Sequence, residues 1–142
     1  MWTGSAGDQF ASAFYGMIDT ATGVLNCASA GQLGIIVVRG TEWESLSCNS
    51  AQLGEGPDAS FEAFGYELQP GEALVVFTDG VRDARDKKGQ PLGESGVAEA
   101  LLGKTHLPAD QMAQLVRERL DTHAGGPARD DATLLVVKHT PA

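Results

Sequence analysis

Ala73-Leu74-Val75-Val76-Phe77-Thr78 is short, almost wholly apolar, and followed at once by Asp79-Gly80. A run of this length and character suits a central strand covered on both faces. Just upstream, Pro70-Gly71 is a strong turn dipeptide that closes an earlier candidate strand, Phe61 to Leu68. Far downstream, Ala132 to Lys138 (ATLLVVK) forms a second apolar strand, preceded directly by Asp130-Asp131. If these two strands are antiparallel neighbours, the end of one lies beside the start of the other. Asp79 and Asp130 then converge at one rim. Carboxylates gathered there repel one another unless a cation neutralises them, and hard oxygen ligands suit Mg²⁺ or Mn²⁺. Gly80 lets the backbone approach such a site closely. A plainer reading stands beside this one: Asp-Gly after a strand is a common turn, and Asp-Asp before a strand is a common exposed loop end.

Outward from this pair, the first two thirds of the chain read as β. Gln9 to Asp19 (QFASAFYGMID) carries aromatic and aliphatic residues in rough alternation and ends at Thr20-Ala21-Thr22-Gly23, a connection that suits a hairpin into Val24 to Ala30. Leu33 to Arg39 (LGIIVVR) is a β-branched run, turned by Gly40-Thr41 into a weaker strand around Trp43 to Leu46. The last third switches period. Gly93 to Leu102 predicts a short helix stopped by Gly103. Pro108 to Thr122 predicts the clearest helix, with Pro108 as a first helical residue, an apolar stripe of Met112, Leu115, Val116 and Leu120, and Gly125-Gly126-Pro127 as its stop. The expected plan is a meander of strands, two helices and a returning strand. Strands and helices segregated in this way define an α+β class, helices packed on a largely antiparallel sheet.

Size and charge narrow the function. At 142 residues the chain reads as a single domain, residues 1–142, and 42% hydrophobic with 20% charged residues is ordinary for a soluble globular protein. No apolar run approaches the roughly 20 residues that cross a bilayer, and the start at Met1 shows no secretory signal, so a cytoplasmic location is the expectation. Lysine plus arginine number 10 against 19 acids, a formal charge of -9. That field disfavours nucleic acid and anionic membrane as partners and favours cations.

Other chemistries find little support. Cys27 and Cys48 are too few for a disulfide framework or a zinc cage; Cys27 reads as a small buried thiol, and nothing requires a bridge between the two. His106, His123 and His139 are scattered without ligand spacing. Ala98-Glu99-Ala100-Leu101-Leu102-Gly103-Lys104-Thr105 loosely resembles a phosphate loop, but its Gly-Lys-Thr falls at a helix end, where the dipole is negative. No Gly-x-Ser-x-Gly elbow or Cys/His pairing suggests a covalent nucleophile.

Several stretches together resemble a known family. Phe10 to Asp19, Thr22-Gly23 and Ala28-Ser29-Ala30-Gly31 look like the hairpin region of bacterial phosphatases of the sporulation stage II protein E (SpoIIE) type, within the protein phosphatase 2C-like, metal-dependent (PPM) Ser/Thr phosphatase superfamily. Leu68-Gln69-Pro70-Gly71-Glu72 into Phe77-Thr78-Asp79-Gly80-Val81, with Asp83-Ala84-Arg85 behind it, is similar to that family's most recognisable stretch. Asp130-Asp131-Ala132-Thr133-Leu134 resembles its closing motif. The resemblance implies a four-layer α-β-β-α sandwich of antiparallel sheets with a two-metal Mn²⁺ or Mg²⁺ site. It implies hydrolysis of phosphoserine or phosphothreonine on a bacterial regulatory protein, for example an anti-sigma factor antagonist, by a metal-activated water. It makes Asp79 and Asp130 metal ligands and Gly80 and Asp131 their neighbours, and it adds an N-terminal sensory or regulatory domain to the expected partners.

Two departures qualify it. The family supplies a bridging aspartate from an Asp-x-x-Gly-His-Gly-like motif upstream of the hairpin, whereas only eight residues precede Gln9 and Asp8 is their only acid. About the first third of such a domain is therefore expected to be missing. The family's histidine after Ala-Gly is here Gln32. A catalytically silent phosphatase-like binding or scaffold module thus stands as the alternative to an enzyme.

Overall fold

The apolar run after Pro70-Gly71 is the middle of a four-stranded sheet. A computed structural model describes residues 9–126 and 130–141; Met1 to Asp8 and Pro127, named above, lie outside the described residues. Among the described residues the strands are β1 (Ala13–Ile18), β2 (Val24–Ala30), β3 (Gly34–Arg39), β4 (Glu42–Ser45), β5 (Glu62–Glu67), β6 (Ala73–Phe77) and β7 (Leu134–Lys138). The helices are α1 (Asp79–Arg82), α2 (Gly93–Glu99) and α3 (Ala109–Ala124). All pairings are antiparallel, in the orders β1-β2-β5 and β4-β3-β6-β7. The expected α+β class of antiparallel sheets and helices is what forms. The expected meander is not. β3 leaves β2 and pairs with β4 and β6, while β5 returns to β2. The switch falls at Gly31, whose φ of +80° turns the chain out of β2.

The chain folds as two compact units. The first comprises described residues up to Leu33 together with Ser47–Leu68. Its hairpin closes as expected. Asp19 Oδ1 accepts the Ala21 N–H at 2.8 Å, and Gly23, with φ +76°, delivers the chain into β2. β2 alternates as a strand with one buried face should, with Leu25, Cys27 and Ser29 buried and Val24 and Asn26 exposed. Both cysteines are free thiols. Burial pushes the Cys27 thiol up to about 11, and Cys48 Sγ lies 3.2 Å from Ser29 Oγ.

The second unit comprises Gly34–Leu46 and Gln69 onward. It opens on a tight turn at Gln69-Pro70-Gly71-Glu72, closed by the Glu72 N–H donating to Gln69 O at 3.0 Å, with Gly71 at φ +87°. Proline followed by a positive-φ glycine is the signature of a type II turn. Every residue of β6 is buried. Its partners set β3 and β7 on its two sides, with Val75 opposite both Ile36 and Val136. The helices supply the remaining core: Val97, Ala98, Met112, Val116 and Leu120 join Ile36, Val38, Val75 and Phe77 in one cluster. The expected stripe of α3 is thus the packed face, with Leu115 at its margin.

Helix ends differ from expectation in small, explicable ways. Pro108 is the N-cap of α3, with ψ 154°, not its first helical residue. Its carbonyl still accepts the Met112 N–H at 3.0 Å, and its lack of an N–H costs nothing there. At the far end, Gly126 donates to Asp121 O and Gly125, at φ +71°, donates to Thr122 O, which is a Schellman cap. α2 stops at Glu99, three residues short of the expected end. Gly103 beyond it donates to Gly40 O, and Gly40 donates to Thr105 Oγ1. The Gly-Lys-Thr segment is therefore occupied in tying this loop to the β3–β4 turn.

One packing detail lay beyond periodicity. A Cβ on Gly34 would fall 2.2 Å from the Phe77 ring, and that ring is buried and has nowhere to go. Gly34→Ala is expected to lower stability in urea denaturation by about 1–3 kcal/mol, the usual cost of overpacking. Combining it with Phe77→Leu should cost less than the sum of the two single changes. Strict additivity would mean that the glycine is not there to admit the ring.

Candidate metal site at the β6–β7 rim

The antiparallel pairing of β6 with β7 brings the two acidic segments together. Phe77 lies opposite Leu134, and the ladder runs one step further: Thr78 donates its N–H to Thr133 O at 3.1 Å, and Thr133 returns its own to Thr78 Oγ1 at 3.0 Å. Beyond that the chain turns into α1, a single helical turn in which Val81 and Arg82 donate to Thr78 O and Asp83 donates to Asp79 O. The next contact is between backbones. A Cβ on Gly80 would fall 2.0 Å from the Asp131 carbonyl oxygen, so only glycine admits this approach. Asp79-Gly80 and Asp131-Ala132 therefore adjoin, as an antiparallel pair of strands requires.

The acids at this rim are open to solvent. Asp79, Asp130 and Asp131 are all exposed. Asp79 opens the first turn of α1, and Arg82 closes it. Arg82 donates from Nε to Asp83 Oδ1 at 2.8 Å and from Nη2 to Asp83 Oδ2 at 3.1 Å. Those bonds hold the Asp83 carboxyl below the ordinary range, burial opposing and the Arg82 and Arg85 charges adding. They likewise raise the Arg82 guanidinium, with Asp83, Asp79 and Glu94 contributing their fields. Asp83 is thereby committed to Arg82. Asp79 feels Arg82 only through its field.

Asp130 stands on the wall of two cavities. One, of about 640 Å³, is lined by Val116, Leu120 and Leu134 and by Asp110, Asp121 and Asp131, among others. The other, of about 400 Å³, is lined by Gly80, Arg85, Lys87 and Ala124 among others.

For a divalent cation the donor chemistry suits: hard carboxylate oxygens at an open rim, with a glycine that lets the backbone come close. Among the described residues, no three Asp, Glu, His or Cys side chains gather in an arrangement that holds a metal. Two of the histidines are engaged with backbone groups of other segments. His123 Nε2 contacts Gln90 O at 2.9 Å, and the His139 backbone pairs with Gly71 and Glu72. The α1 turn was not read from the sequence; the close backbone approach at Gly80 was, without naming the Asp131 carbonyl that it meets. A glycine between a strand-end aspartate and an apolar residue is the signal that points to the latter.

Solved structures show the same fold. The SiaA-PP2C domain of Pseudomonas aeruginosa superposes with a TM-score of 0.77 at 22% identity, covering 92% of this chain and 52% of that one. The phosphatase domain of SpoIIE from Bacillus subtilis gives 0.73 at 16% identity, covering 92% and 59%, and has also been solved manganese-presoaked. The fold is thus that of PP2C-type phosphatase domains, and the chain spans about half their length. Protein IcfG of Synechocystis sp. is 27% identical over 131 residues, which are 91% of this chain and 20% of IcfG. The sequence model of the family described as Stage II sporulation protein E (SpoIIE) matches residues 2–140, and the chain belongs to that family.

The rim's dependence on glycine is directly testable. Gly80→Ala is expected to cost about 2 kcal/mol or more in urea denaturation, because a backbone carbonyl cannot step aside as a side chain can. Gly56→Ala, at a position with open space around it, should stay within about 0.5 kcal/mol of the parent. Equal effects would remove the close approach as a structural constraint.

Proposed function

We propose that this chain, taken as one domain over residues 1–142, supplies Asp79 and Asp130 as ligands for Mn²⁺ or Mg²⁺ in the hydrolysis of phosphoserine or phosphothreonine on a regulatory protein. Gly80 and Asp131 serve as the backbone neighbours that hold the two ligands in register. The observation that carries this reading is the contact of Gly80 with the Asp131 carbonyl, which ties the two aspartate segments together. Membership of the SpoIIE family and the manganese-presoaked form of a relative support it. When bound, a divalent cation supplies Lewis-acid polarisation of a phosphoryl oxygen and a water of lowered pKa. This chain's own residues do the rest. Asp79 and Asp130 provide negative charge at an open rim, Arg82 keeps Asp83 occupied, and the exposed setting admits a phosphorylated loop of another protein.

Such a domain would sit within a larger cytoplasmic regulatory protein. The match to one fifth of IcfG supports the larger size. No helix among the described residues is long and apolar enough to cross a membrane. A second reading, a catalytically silent module that binds a phosphoprotein, draws on the lack of a three-ligand cluster among the described residues.

Calorimetric titration of Mn²⁺ into the chain tests the assignment. Asp79→Asn and Asp130→Asn should each weaken binding roughly ten-fold or more, the scale on which even outer-shell partners of a metal matter. Binding indifferent to both changes would remove the assignment. Release of phosphate from a phosphoserine peptide in the presence of Mn²⁺ separates the two readings. Turnover supports the enzyme; Mn²⁺ binding without turnover supports the silent module.

A further inference from the structure

We propose that the turn of residues 85–91 is a strap latched to α3 by His123, and that the latch tightens when His123 takes up a proton. Nothing in the latch requires a metal at the β6–β7 rim.

The turn holds its own shape with local bonds. Asp86 donates its N–H to Gln90 O at 3.0 Å, and Gly89 donates to Asp86 O at 3.0 Å. Asp86 Oδ1 accepts the Lys88 N–H at 2.8 Å and the Gln90 N–H at 2.9 Å, and Arg85 Nη1 donates to Gly89 O at 2.6 Å. An isolated bridge between Arg85 and Pro91 closes the base. These bonds fix the shape of the turn and not its place, and most of its side chains are exposed. A hold from outside comes from α3. His123, 33 residues further along the chain, sets Nε2 2.9 Å from Gln90 O. That oxygen has two lone pairs, one for the Asp86 N–H and one for the imidazole.

Charge makes this hold depend on pH. His123 lies in the last turn of α3, where the helix dipole is negative. Asp86 adds a full negative charge. Its carboxyl is held below the ordinary range by the Gln90 N–H first, with the Lys88 N–H and the fields of His123 and Lys88 adding and desolvation opposing. Asp86 therefore stays ionised through the range of about pH 5 to 8 in which an imidazole changes charge. A neutral ring offers Gln90 O a proton in only one of its two tautomers. An imidazolium always donates there, and a charge-assisted bond is roughly twice as strong as a neutral one.

The surrounding charges have other engagements. Arg85 is turned to Gly89 O, Lys88 faces Asp86, and Arg119 on α3 lies 3.7 Å from Glu99. Lys87 passes over the end of α3, where a Cβ on Gly125 would lie 3.7 Å from its Cε. Asp121 adds a negative charge on α3 itself, and Asp130 shares a cavity wall with Asp86 and Lys87. The stabilisation from His123 is thus fully present in acid and lost as pH rises through the imidazole range, whereas that from Asp86 is lost only as pH falls below the carboxylate range. The strap carries Asp86 and Lys87 into the wall of the cavity of about 400 Å³ that Gly80 and Asp130 also line. Acid firms that wall, and release of the latch loosens it.

Amide hydrogen exchange on the ¹⁵N-labelled chain tests the latch, with protection of the Asp86, Gly89 and Gln90 amides divided by that of Val116, buried on α3. The ratio should fall about three-fold between about pH 5.5 and 8, the scale of one charge at a helix C-terminus, and should follow the titration of the His123 ring. His123→Gln keeps a donor but cannot take up a proton, so its ratio should not change with pH. His123→Ala should give a low ratio at both ends, and His106→Gln should behave as the parent does. A parent ratio indifferent to pH, or a change that persists in His123→Gln, overturns the latch. Should a substitution unfold α3, Val116 loses its protection, and the dependence of the parent on its His123 ring then decides alone.

Discussion

The pairing of β6 with its two neighbours is the constraint on which the rest of the second unit depends. β6 is buried along its whole length, so every backbone N–H and C=O it carries must find a partner in β3 or β7. That requirement fixes the register, and a slip of one residue would move the buried side chains to the opposite face. Because the register is fixed, the strand ends are fixed as well. Thr78 and Thr133 exchange hydrogen bonds, Gly80 meets the Asp131 carbonyl, and the acidic segments on either side come to one rim. The position of the candidate site is thus a consequence of the apolar packing of β6.

The opposite end of β6 is anchored with comparable care. The type II turn at Gln69–Glu72 starts the strand, and the Glu72 backbone pairs with His139 just past β7. The Glu72 side chain is buried, with Oε2 accepting the Gln69 N–H at 2.8 Å and Oε1 lying 3.0 Å from Arg39 Nε at the end of β3. A buried carboxylate is costly to desolvate, and the hydrogen bond on Oε2 together with the Arg39 charge beside Oε1 offsets that cost. Three strands are thereby tied at one end by a single acid. At the other end they open toward Asp79 and Asp130.

Much of this was legible in the residues. Ala73 to Thr78 read as a central strand covered on both faces, and Asp79-Gly80 and Asp130-Asp131 stood at opposite ends of two apolar runs. The family resemblance carried by Phe77 to Val81 and Asp130 to Leu134 agrees with the family match over residues 2–140. What could not be read has physical causes. Alternation along β2 tells which side chains are buried but not which strand lies alongside, so the expectation of two sheets came from the family resemblance and not from periodicity, which suggested a meander. Asp79 to Arg82 is too short and too poor in helix formers to announce a helix, and its turn is held by Thr78. The Gly34–Phe77 contact and the Arg85–Lys87 cavity join residues far apart in sequence, and no local period reports them.

The claim that one rim gathers Asp79 and Asp130 is tested most directly by paramagnetic broadening of amide signals at substoichiometric Mn²⁺. Loss of the Gly80, Asp131 and Ala132 signals first, and together, is the expected result. Broadening that begins elsewhere, for instance along the exposed acids Glu62 and Glu67 of β5, would contradict a shared metal site at the β6–β7 rim.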